Sequence, residues 1–222
     1  MFILLSHKID SITPVYGGKK GFSYALTSSI KKGDSANTQR WELPNHLGTH
    51  VDFPYHFYKN GQTVDDFPEN FWIFNGNKIQ VIEVDLPDKK FLIEHTSLAN
   101  TNFKQDAELL ILKTGIGKYR KKEKFWKYNP GISIEMADWI VNKFKIIKAI
   151  GIDSISISSW QHRDIGRQVH KKMLNPKKPI LIIEDMDLSK IDKDTNFNRI
   201  YIAPLMVRKS DGAPCTIIAE VK

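Results

Sequence analysis

Short hydrophobic runs rich in β-branched residues recur along this chain, separated by polar and turn-forming segments. Apolar runs of about four to eight residues are typical of β-strands, and several of these are apolar throughout, which indicates burial on both faces. Six runs predict strands: Ile79–Leu86, Leu109–Leu112, Ile146–Ile152, Pro179–Ile183, Ile200–Val207 and Thr216–Val221. The residues Phe2–Leu5 predict a further strand.

Two segments follow the period of an amphipathic α-helix instead. Ser133 can cap the first helix, and the second runs from Asp164 to Asn175, where Pro176 ends it. Their apolar stripes are Met136, Ile140 and Phe144 in the first and Ile165, Val169 and Met173 in the second. Together these strands and helices predict an α/β fold, with a single domain over residues 1–222 built around a mixed sheet.

The segment Pro44–Phe57 alternates polar and mostly apolar residues. Its even positions carry His46, His50, Asp52 and His56, and its odd positions carry Leu47, Thr49, Val51, Phe53, Tyr55 and Phe57. An extended backbone sends alternate side chains to opposite faces, so the imidazoles and the carboxylate would share one face. Imidazole and carboxylate suit a divalent transition metal such as zinc or manganese, so the segment predicts a metal site.

The spacing within this segment requires a bend. Positions two apart in a strand are roughly 6–7 Å from each other, which lets His50 and Asp52 converge on one ion, whereas His46 would lie roughly 13 Å from His50. Gly48 is the residue that can adopt the backbone angles for a bend. A helix is the weaker alternative because Gly48 and Pro54 both oppose it. Each histidine alone is more typical of a hydrogen-bonded core or surface residue than of a ligand, but the shared register favours the metal site.

Two further candidates come from the second half of the chain. His170 lies on the second predicted helix, beside its apolar stripe. Glu184 and Asp185 follow a predicted buried strand, and ligands of open α/β sheets gather at such carboxyl ends. Spacing alone does not make these residues ligands, since a helix-face histidine and a surface carboxylate are the simpler interpretations.

Composition places the chain among ordinary soluble globular proteins, with 41% hydrophobic and 26% charged residues among 222. No apolar run approaches the roughly 18–20 residues of a membrane span, and Phe2–Leu5 lacks the features of a signal peptide. The single cysteine, Cys215, excludes an internal disulfide and a cysteine-based metal site. These features predict a cytoplasmic protein without a membrane partner.

A net charge of +8 raises the question of nucleic-acid binding. The basic residues form short clusters at 118–124 and at Lys171, Lys172, Lys177 and Lys178. Zinc-finger spacing, an RNP-like aromatic motif and a glycine-rich phosphate loop are all missing from the sequence. A lysine-rich solvated surface is therefore favoured over a nucleic-acid partner, and an anionic substrate attracted by the positive field is the second interpretation.

The segment His46–His56 resembles the His-x-Gly-Thr-His-x-Asp-x-Pro-x-His signature of the cyclase family, which includes bacterial kynurenine formamidases and isatin hydrolases. The likeness extends over nearly the whole chain through shorter segments in the family's order. These are Leu5-Ser6-His7, Gly61–Val64, Lys113-Thr114-Gly115, Pro130–Ser133, Gly151–Ser154, His170–Leu174 and Ile183–Met186. A long signature with ordered supporting segments is far more specific than a lone motif.

The resemblance implies a metal-dependent hydrolase in a swivelling β/β/α fold, assembled as a homodimer or homotetramer. It would open a carbon–nitrogen bond in a small-molecule substrate, an aryl formamide or a cyclic amide. By position, the implied ligands of one or two divalent ions, zinc or manganese, are His46, His50, Asp52, His170 and Glu184. His56 would be the catalytic acid/base group, because an imidazole can accept the proton of water and pass it to the departing amine.

Two departures from the family pattern spare these residues. Ser156-Ile157-Ser158 stands where relatives often have Ser-Ile-Asp, and Pro214-Cys215-Thr216 stands where many have Pro-Val-Arg. They leave two alternatives open: a cyclase or dehydratase with the same metal site, or a catalytically inactive, metal-stabilised binding protein. The spare imidazole of His56 opposes the second alternative, since a structural ion prefers a closed ligand shell.

Aromatic residues near the signature offer an aryl pocket. The candidates are Trp41, Phe53, Tyr55 and Phe57. For Phe53 and Phe57, on the apolar face, core packing is the favoured interpretation.

Overall fold

The computed structural model describes residues 1–18, 20–84, 91–98 and 101–222, which form thirteen strands and three α-helices joined by turns and short 3-10 helices. The strands are β1 (Phe2–Leu4), β2 (Ser23–Ser28), β3 (Thr38–Glu42), β4 (His50–Asp52), β5 (Ile73–Asn75), β6 (Ile79–Glu83), β7 (Leu92–Ile93), β8 (Leu109–Lys113), β9 (Gly131–Ile132), β10 (Ala149–Ile152), β11 (Leu181–Glu184), β12 (Phe197–Pro204) and β13 (Gly212–Val221). The helices are α1 (Lys124–Lys127), α2 (Ile134–Lys143) and α3 (Arg163–Met173).

Nine strands form one mixed sheet in the order β5-β12-β13-β4-β11-β10-β8-β6, with β1 paired to β13. Strands β6, β8, β10 and β11 run parallel, and the remaining pairs are antiparallel. The short strand β4 pairs with β11 on one side and β13 on the other, so it lies where the parallel half of the sheet meets the antiparallel half. This position brings its residues close to the carboxyl end of β11.

The core is formed by the parallel strands and the helices that cover them. All residues of β10 and β11 are buried, as expected for strands covered on both faces. Helix α2 begins where the Ser133 hydroxyl accepts a hydrogen bond from the Met136 amide, and it packs against α3, which also contacts β11. Val169 and Met173 of α3 are fully buried. The α/β fold with a mixed sheet is therefore as predicted, and so are both helices.

The predicted strands are all present, with bounds that shift by a few residues. The run Ile146–Ile152 becomes a strand only from Ala149, because Ile146 lies in an exposed turn. At the other end of the chain, β12 stops at Pro204 and leaves Leu205–Val207 exposed. The predicted end of the first run, Leu86, lies outside the described residues.

The strands that the sequence does not predict are short or exposed. Strands β2 and β3 form a hairpin in which every residue of β3 is exposed, so no apolar face marks it in the sequence. Among the described residues, no helix combines the length and the apolar character that a membrane crossing requires.

Candidate metal centre

The polar–apolar segment is a strand over His50–Asp52, and the chain bends on either side of it, at Gly48 and at Pro54. Gly48 has a φ of +64°, in the left-handed region that favours glycine. Pro54–His56 form a 3-10 turn that Pro54 begins, because its fixed φ suits the first position of a helical turn. The bend predicted at Gly48 places the His46 ring 5.2 Å from the His50 ring, between centroids.

Four buried side chains from three elements meet behind this bend, and we call them the buried donor set. They are His50 and Asp52 of β4, His170 of α3 and Glu184 of β11. Glu184 lies opposite His50 in the antiparallel ladder of β11 and β4, which explains how a residue far along the chain arrives there. All four side chains are at most 6% exposed. The structure thus brings these four predicted site residues together.

Each imidazole of the buried donor set lies between the same two carboxylates. His50 Nε2 is 3.4 Å from Asp52 Oδ1 and 3.5 Å from Glu184 Oε2. His170 Nε2 is 3.5 Å from Asp52 Oδ2 and 3.4 Å from Glu184 Oε1. These separations exceed those of charge-assisted hydrogen bonds, about 2.7–2.9 Å. They match the distance of about 3.4 Å between neighbouring ligand atoms of a tetrahedral ion bound at about 2.0–2.1 Å. The donor chemistry and spacing therefore fit a divalent metal.

Hydrogen bonds on the far side of each ring orient the two histidines. His50 Nδ1 lies 2.8 Å from the Gly48 carbonyl oxygen, and His170 Nδ1 lies 2.8 Å from the Gly166 carbonyl oxygen. A ring that donates from Nδ1 to a carbonyl keeps Nε2 as the metal-facing atom. Both imidazoles are thus held with Nε2 towards the carboxylates.

The segment Ser156–Ser158, which departs from the family pattern, supports the buried donor set. Glu184 Oε1 accepts hydrogen bonds from the Ser156 hydroxyl at 3.0 Å and from the Ile157 amide at 2.7 Å. The Ser158 hydroxyl lies 3.2 Å from His170 Nδ1. Ser156 and Ser158, of which Ser158 differs from the family pattern, therefore hold Glu184 and His170 in place.

The second departure, Pro214-Cys215-Thr216, lies on β13, the strand that pairs with β4. Pro214 is opposite His50 in the ladder of β13 and β4, and the buried Cys215 donates its amide hydrogen to the Thr49 carbonyl oxygen at 2.9 Å. Burial raises the pKa of the Cys215 thiol. Pro214, Cys215 and Thr216 line a separate cavity, and none of the three lines the cavity that holds the buried donor set.

The carboxylates and imidazoles of the buried donor set shift one another's pKa values. Burial alone would lower the pKa of His170, but hydrogen bonds and charges from Asp52 and Glu184 outweigh it and raise the pKa to about 10. The pKa of His50 is also raised against burial, first by Asp52 and then by Glu184. Burial would raise the pKa of Asp52, yet its imidazole neighbours hold it well below the usual range. The two carboxylates thus demand positive charge at this point, from protons or from a cation.

Beside the buried donor set lie three side chains that are more exposed than its members. We call His46, His56 and Asp211 the rim triad. Asp211 Oδ2 is 3.0 Å from His46 Nε2 and 2.9 Å from His56 Nδ1. The other nitrogen of His46, Nδ1, is 2.7 Å from Asp52 Oδ1, which connects the rim triad to the buried donor set. The three side chains are 24–34% exposed. One carboxylate thus orients both imidazoles.

The sequence does not predict Asp211 as a site residue. It lies in the connection between β12 and β13, next to Gly212, which is opposite Asp52 in the sheet. A Cβ at Gly212 would lie 2.3 Å from His46 Cε1, so only glycine permits this close approach. The dipeptide Asp211-Gly212 is a turn signal, but nothing local indicates that the carboxylate reaches two distant histidines.

Hydrogen bonds set the charges of the rim triad. Burial opposes a proton on His46, but Asp211 and Asp52 outweigh it and raise the pKa of His46 to about 10. The hydrogen bonds from His46 and His56 hold the pKa of the Asp211 carboxyl far below its usual range. Asp211 is therefore a fixed anion that accepts from both rings.

An open cavity of about 450 Å³ leads to these residues, with Tyr16, Phe57 and Ile155 among its apolar walls. The Phe57 ring stacks on the His170 ring at 4.9 Å between centroids, so Phe57 both packs on the core and lines the cavity. Phe53 is fully buried, as predicted. The other two aromatic candidates, Tyr55 and Trp41, are 45% and 65% exposed and do not line this cavity.

Comparisons with known proteins agree with the motif. A sequence profile of the "Putative cyclase" family matches residues 3–159. Cyclase-like protein 3 of Arabidopsis thaliana is 26% identical over 96% of this chain and 77% of its own length. Kynurenine formamidase of Bacillus cereus is 26% identical over 96% of this chain and 94% of its own length. Among solved structures, isatin hydrolase A of Labrenzia aggregata is similar with a TM-score of 0.78 at 17% identity, covering 99% of this chain and 93% of that one.

The structural likeness shows a shared fold over almost the whole chain. The profile match covers more than half of the 222 residues and includes the segment His46–His56. The chain therefore belongs to the Cyclase family.

Proposed function

We propose that the protein is a metal-dependent hydrolase that cleaves a carbon–nitrogen bond in an aryl formamide or a cyclic amide. One observation carries the proposal: two imidazoles and two carboxylates converge in the buried donor set, with a further imidazole, that of His56, beside it. The similar proteins named kynurenine formamidase and isatin hydrolase support this choice of substrate class.

The proposed ligands are His46, His50, Asp52, His170 and Glu184. Each carboxylate turns one oxygen towards His50 and the other towards His170, so the site offers donors for one ion or for two. Zinc is the metal that a nitrogen and oxygen donor set with this spacing favours, and manganese is the alternative.

When bound, the ion supplies Lewis acidity and lowers the pKa of a water from about 16 to about 7. His56 serves as the proton carrier in this proposal. Its Nδ1 donates to Asp211, which leaves Nε2 free to accept a proton. As the water oxygen bonds to the amide carbon, Nε2 takes the water proton, and it returns that proton to the nitrogen as the carbon–nitrogen bond breaks. The amine then departs uncharged and His56 returns to its neutral form.

The cavity walls support an aromatic substrate. Phe57 presents a ring that is already oriented by stacking on His170, and Tyr16 packs edge-on against Trp160 at 5.1 Å between centroids. An aryl group between such rings gains area burial and stacking of about 0.5–1.5 kcal/mol per ring pair. The scissile bond would then lie over the buried donor set.

The test combines metal analysis with product analysis. Purified protein is assayed with N-formylkynurenine and with isatin, and the masses of the products are determined by mass spectrometry. We expect stoichiometric metal, with kynurenine and formate formed from N-formylkynurenine, or isatinate, which is isatin plus one water, formed from isatin. A product that has lost water would identify a cyclase or dehydratase instead, and stoichiometric metal without turnover of any formamide or lactam would favour a binding protein. Hydrolysis by metal-free protein would contradict the proposal.

We also propose that the chain forms a homodimer or homotetramer through an exposed apolar face. This face comprises Phe2, Leu4, Trp41, Leu205 and Met206, all 44–67% exposed. The β2–β3 hairpin beside it is exposed on both faces, and an isolated two-stranded hairpin is marginally stable in water. A second copy that covers the face would stabilise both. The cytoplasmic location stays a prediction.

Light scattering tests this assembly. Wild-type protein should have the mass of two or four chains, and Trp41→Asp with Leu205→Asp should reduce it to one chain. Wild-type protein with the mass of a single chain would contradict the assembly.

A further inference from the structure

Helix α3 lines the cavity with three residues of one face: Arg163, Arg167 and His170. At about 100° per residue, positions four and seven after Arg163 lie about 40° and about 20° from it around the helix axis. His170 belongs to the buried donor set, whereas both arginines are exposed. The two guanidinium groups therefore extend the same wall from the metal centre towards solvent.

The contacts of Arg163 and Arg167 within the protein are weak. Arg163 lies over the Trp160 ring at 4.9 Å from its centroid, and none of the ion pairs among the described residues involves Arg163. Stacking uses the face of a guanidinium and leaves its N–H edge for a ligand. Arg167 pairs with Asp164 at side-chain exposures of 54% and 93%, and such solvent-exposed pairs are weak.

The cavity wall combines buried and exposed charged side chains. Asp52 and Glu184 are buried in it, whereas Lys20 and the two arginines line it as exposed residues. Lys20 pairs only with the exposed Glu42, at 3.1 Å, among the described residues. The carboxylates of the buried donor set are balanced by the cation they hold, whereas the two arginines have only weak partners. The anionic end of a ligand would therefore lie at the arginines, with its other end at the buried donor set.

We propose that the substrate carries a carboxylate, which Arg163 and Arg167 bind. Paired N–H donors of arginine match the two oxygens of a carboxylate. This inference rests on the proposed function, since it places the scissile bond at the buried donor set. Helix rise sets the scale: Arg167 and Arg163 precede His170 by three and seven residues, or about 4.5 and about 10.5 Å along the axis. An aryl ring between the amide and the carboxylate spans such a distance.

A pair of substrates that differ by one carboxylate tests the inference. Formanilide is neutral, and 4-formamidobenzoate adds a carboxylate across the ring. For the double variant Arg163→Gln, Arg167→Gln we expect kcat/KM to fall about 10–100-fold with 4-formamidobenzoate, mainly through KM, from the loss of charged hydrogen bonds. Its kcat/KM with formanilide should stay within about 2-fold of wild type, because that substrate never contacts the arginines. Arg208→Gln, an exposed arginine outside the cavity, is the matched control.

Equal losses with both substrates would assign the arginines a structural role, and unchanged values with both would remove them from substrate binding; either result overturns the inference. A binding measurement tests carboxylate binding by the arginines separately from the proposed hydrolysis. Calorimetry with 4-aminobenzoate and with aniline requires no turnover. Tighter binding of 4-aminobenzoate that disappears in the double variant supports the inference even if neither formamide is hydrolysed, in which case the hydrolase proposal alone fails. Equal binding of the two amines by wild type contradicts the inference.

Discussion

The buried donor set and the rim triad are adjacent, but they are held in different ways. The donor set is at most 6% exposed, and its members come from two paired strands and a helix. The rim triad is 24–34% exposed and comes from a turn and two loops. Its two imidazoles share the single carboxylate of Asp211.

This difference separates two chemical roles. Two buried carboxylates side by side are costly unless a cation balances them, which suits the donor set to holding a metal. A group that exchanges protons with substrate and solvent needs access, which the turn at Pro54–His56 gives to His56. Loss of a buried donor should therefore remove the metal, whereas loss of His56 or Asp211 should remove turnover and leave the metal.

The largest effect is expected at Asp52, which faces three imidazoles. Asp52→Asn should lose most of the bound metal and about 10⁴-fold or more in activity, because the Lewis acid contributes several kcal/mol. Elemental analysis and kcat measure both quantities. Asp194→Asn, an exposed aspartate far from the cavity, should keep both. Full metal content in Asp52→Asn would contradict the assignment of Asp52 as a ligand.

His56 should behave in the opposite way. His56→Gln should keep stoichiometric metal but lose about 10²–10⁴-fold in kcat, the usual contribution of a general acid/base group. His95→Gln, on a turn outside the cavity, is the matched histidine control. If His56→Gln retains wild-type turnover, His56 has no role as the proton carrier.

A smaller loss is expected at Asp211, which acts through its neighbours. Asp211→Asn keeps the size of the side chain but removes the charge that orients His46 and His56, and such supporting groups typically contribute about 10–100-fold. The loss should appear in kcat, with metal content retained. An Asp211→Asn protein without metal would mean that Asp211 is needed to hold the ion and does not only orient the imidazoles beside it.

The smallest effect concerns the bend between the two regions. Gly48 and Gly33 both have positive φ, +64° and +95°. Alanine at either position should cost about 1–2 kcal/mol of unfolding free energy, measured by denaturation. Only Gly48→Ala should also reduce metal content, because Gly33 lies in a distant 3-10 turn. Equal metal content in the two variants would show that the bend at Gly48 does not set the positions of His46 and His50.

The sequence predicts the elements that depend on local pattern. β10 and β11 follow from apolar runs, α2 follows from its cap at Ser133 and its spacing, and the bend follows from Gly48. The placement of His170 and Glu184 is implied by the family resemblance. In the structure, Glu184 Oε2 is 3.5 Å from His50 Nε2, and His170 Nε2 is 3.5 Å from Asp52 Oδ2. Their roles as ligands, like the role of His56, stay predictions.

What the sequence does not predict depends on long-range pairing. Asp211 is 155 residues from His56 and reaches it only because β13 pairs with β4. The β2–β3 hairpin lacks an apolar face in the sequence because its residues are largely exposed. Neither feature leaves a local signal, since each depends on which strands become neighbours.

The central claim is that side chains from two distant stretches of the chain bind a common divalent ion. A crystal structure of the protein as purified, with anomalous data collected at the zinc and manganese edges, tests it directly. We predict an anomalous peak about 2.0–2.3 Å from Nε2 of His50 or His170 and from oxygens of Asp52 and Glu184. A metal peak away from His170 and Glu184, or metal-free protein that hydrolyses its substrate at full rate, would contradict the claim.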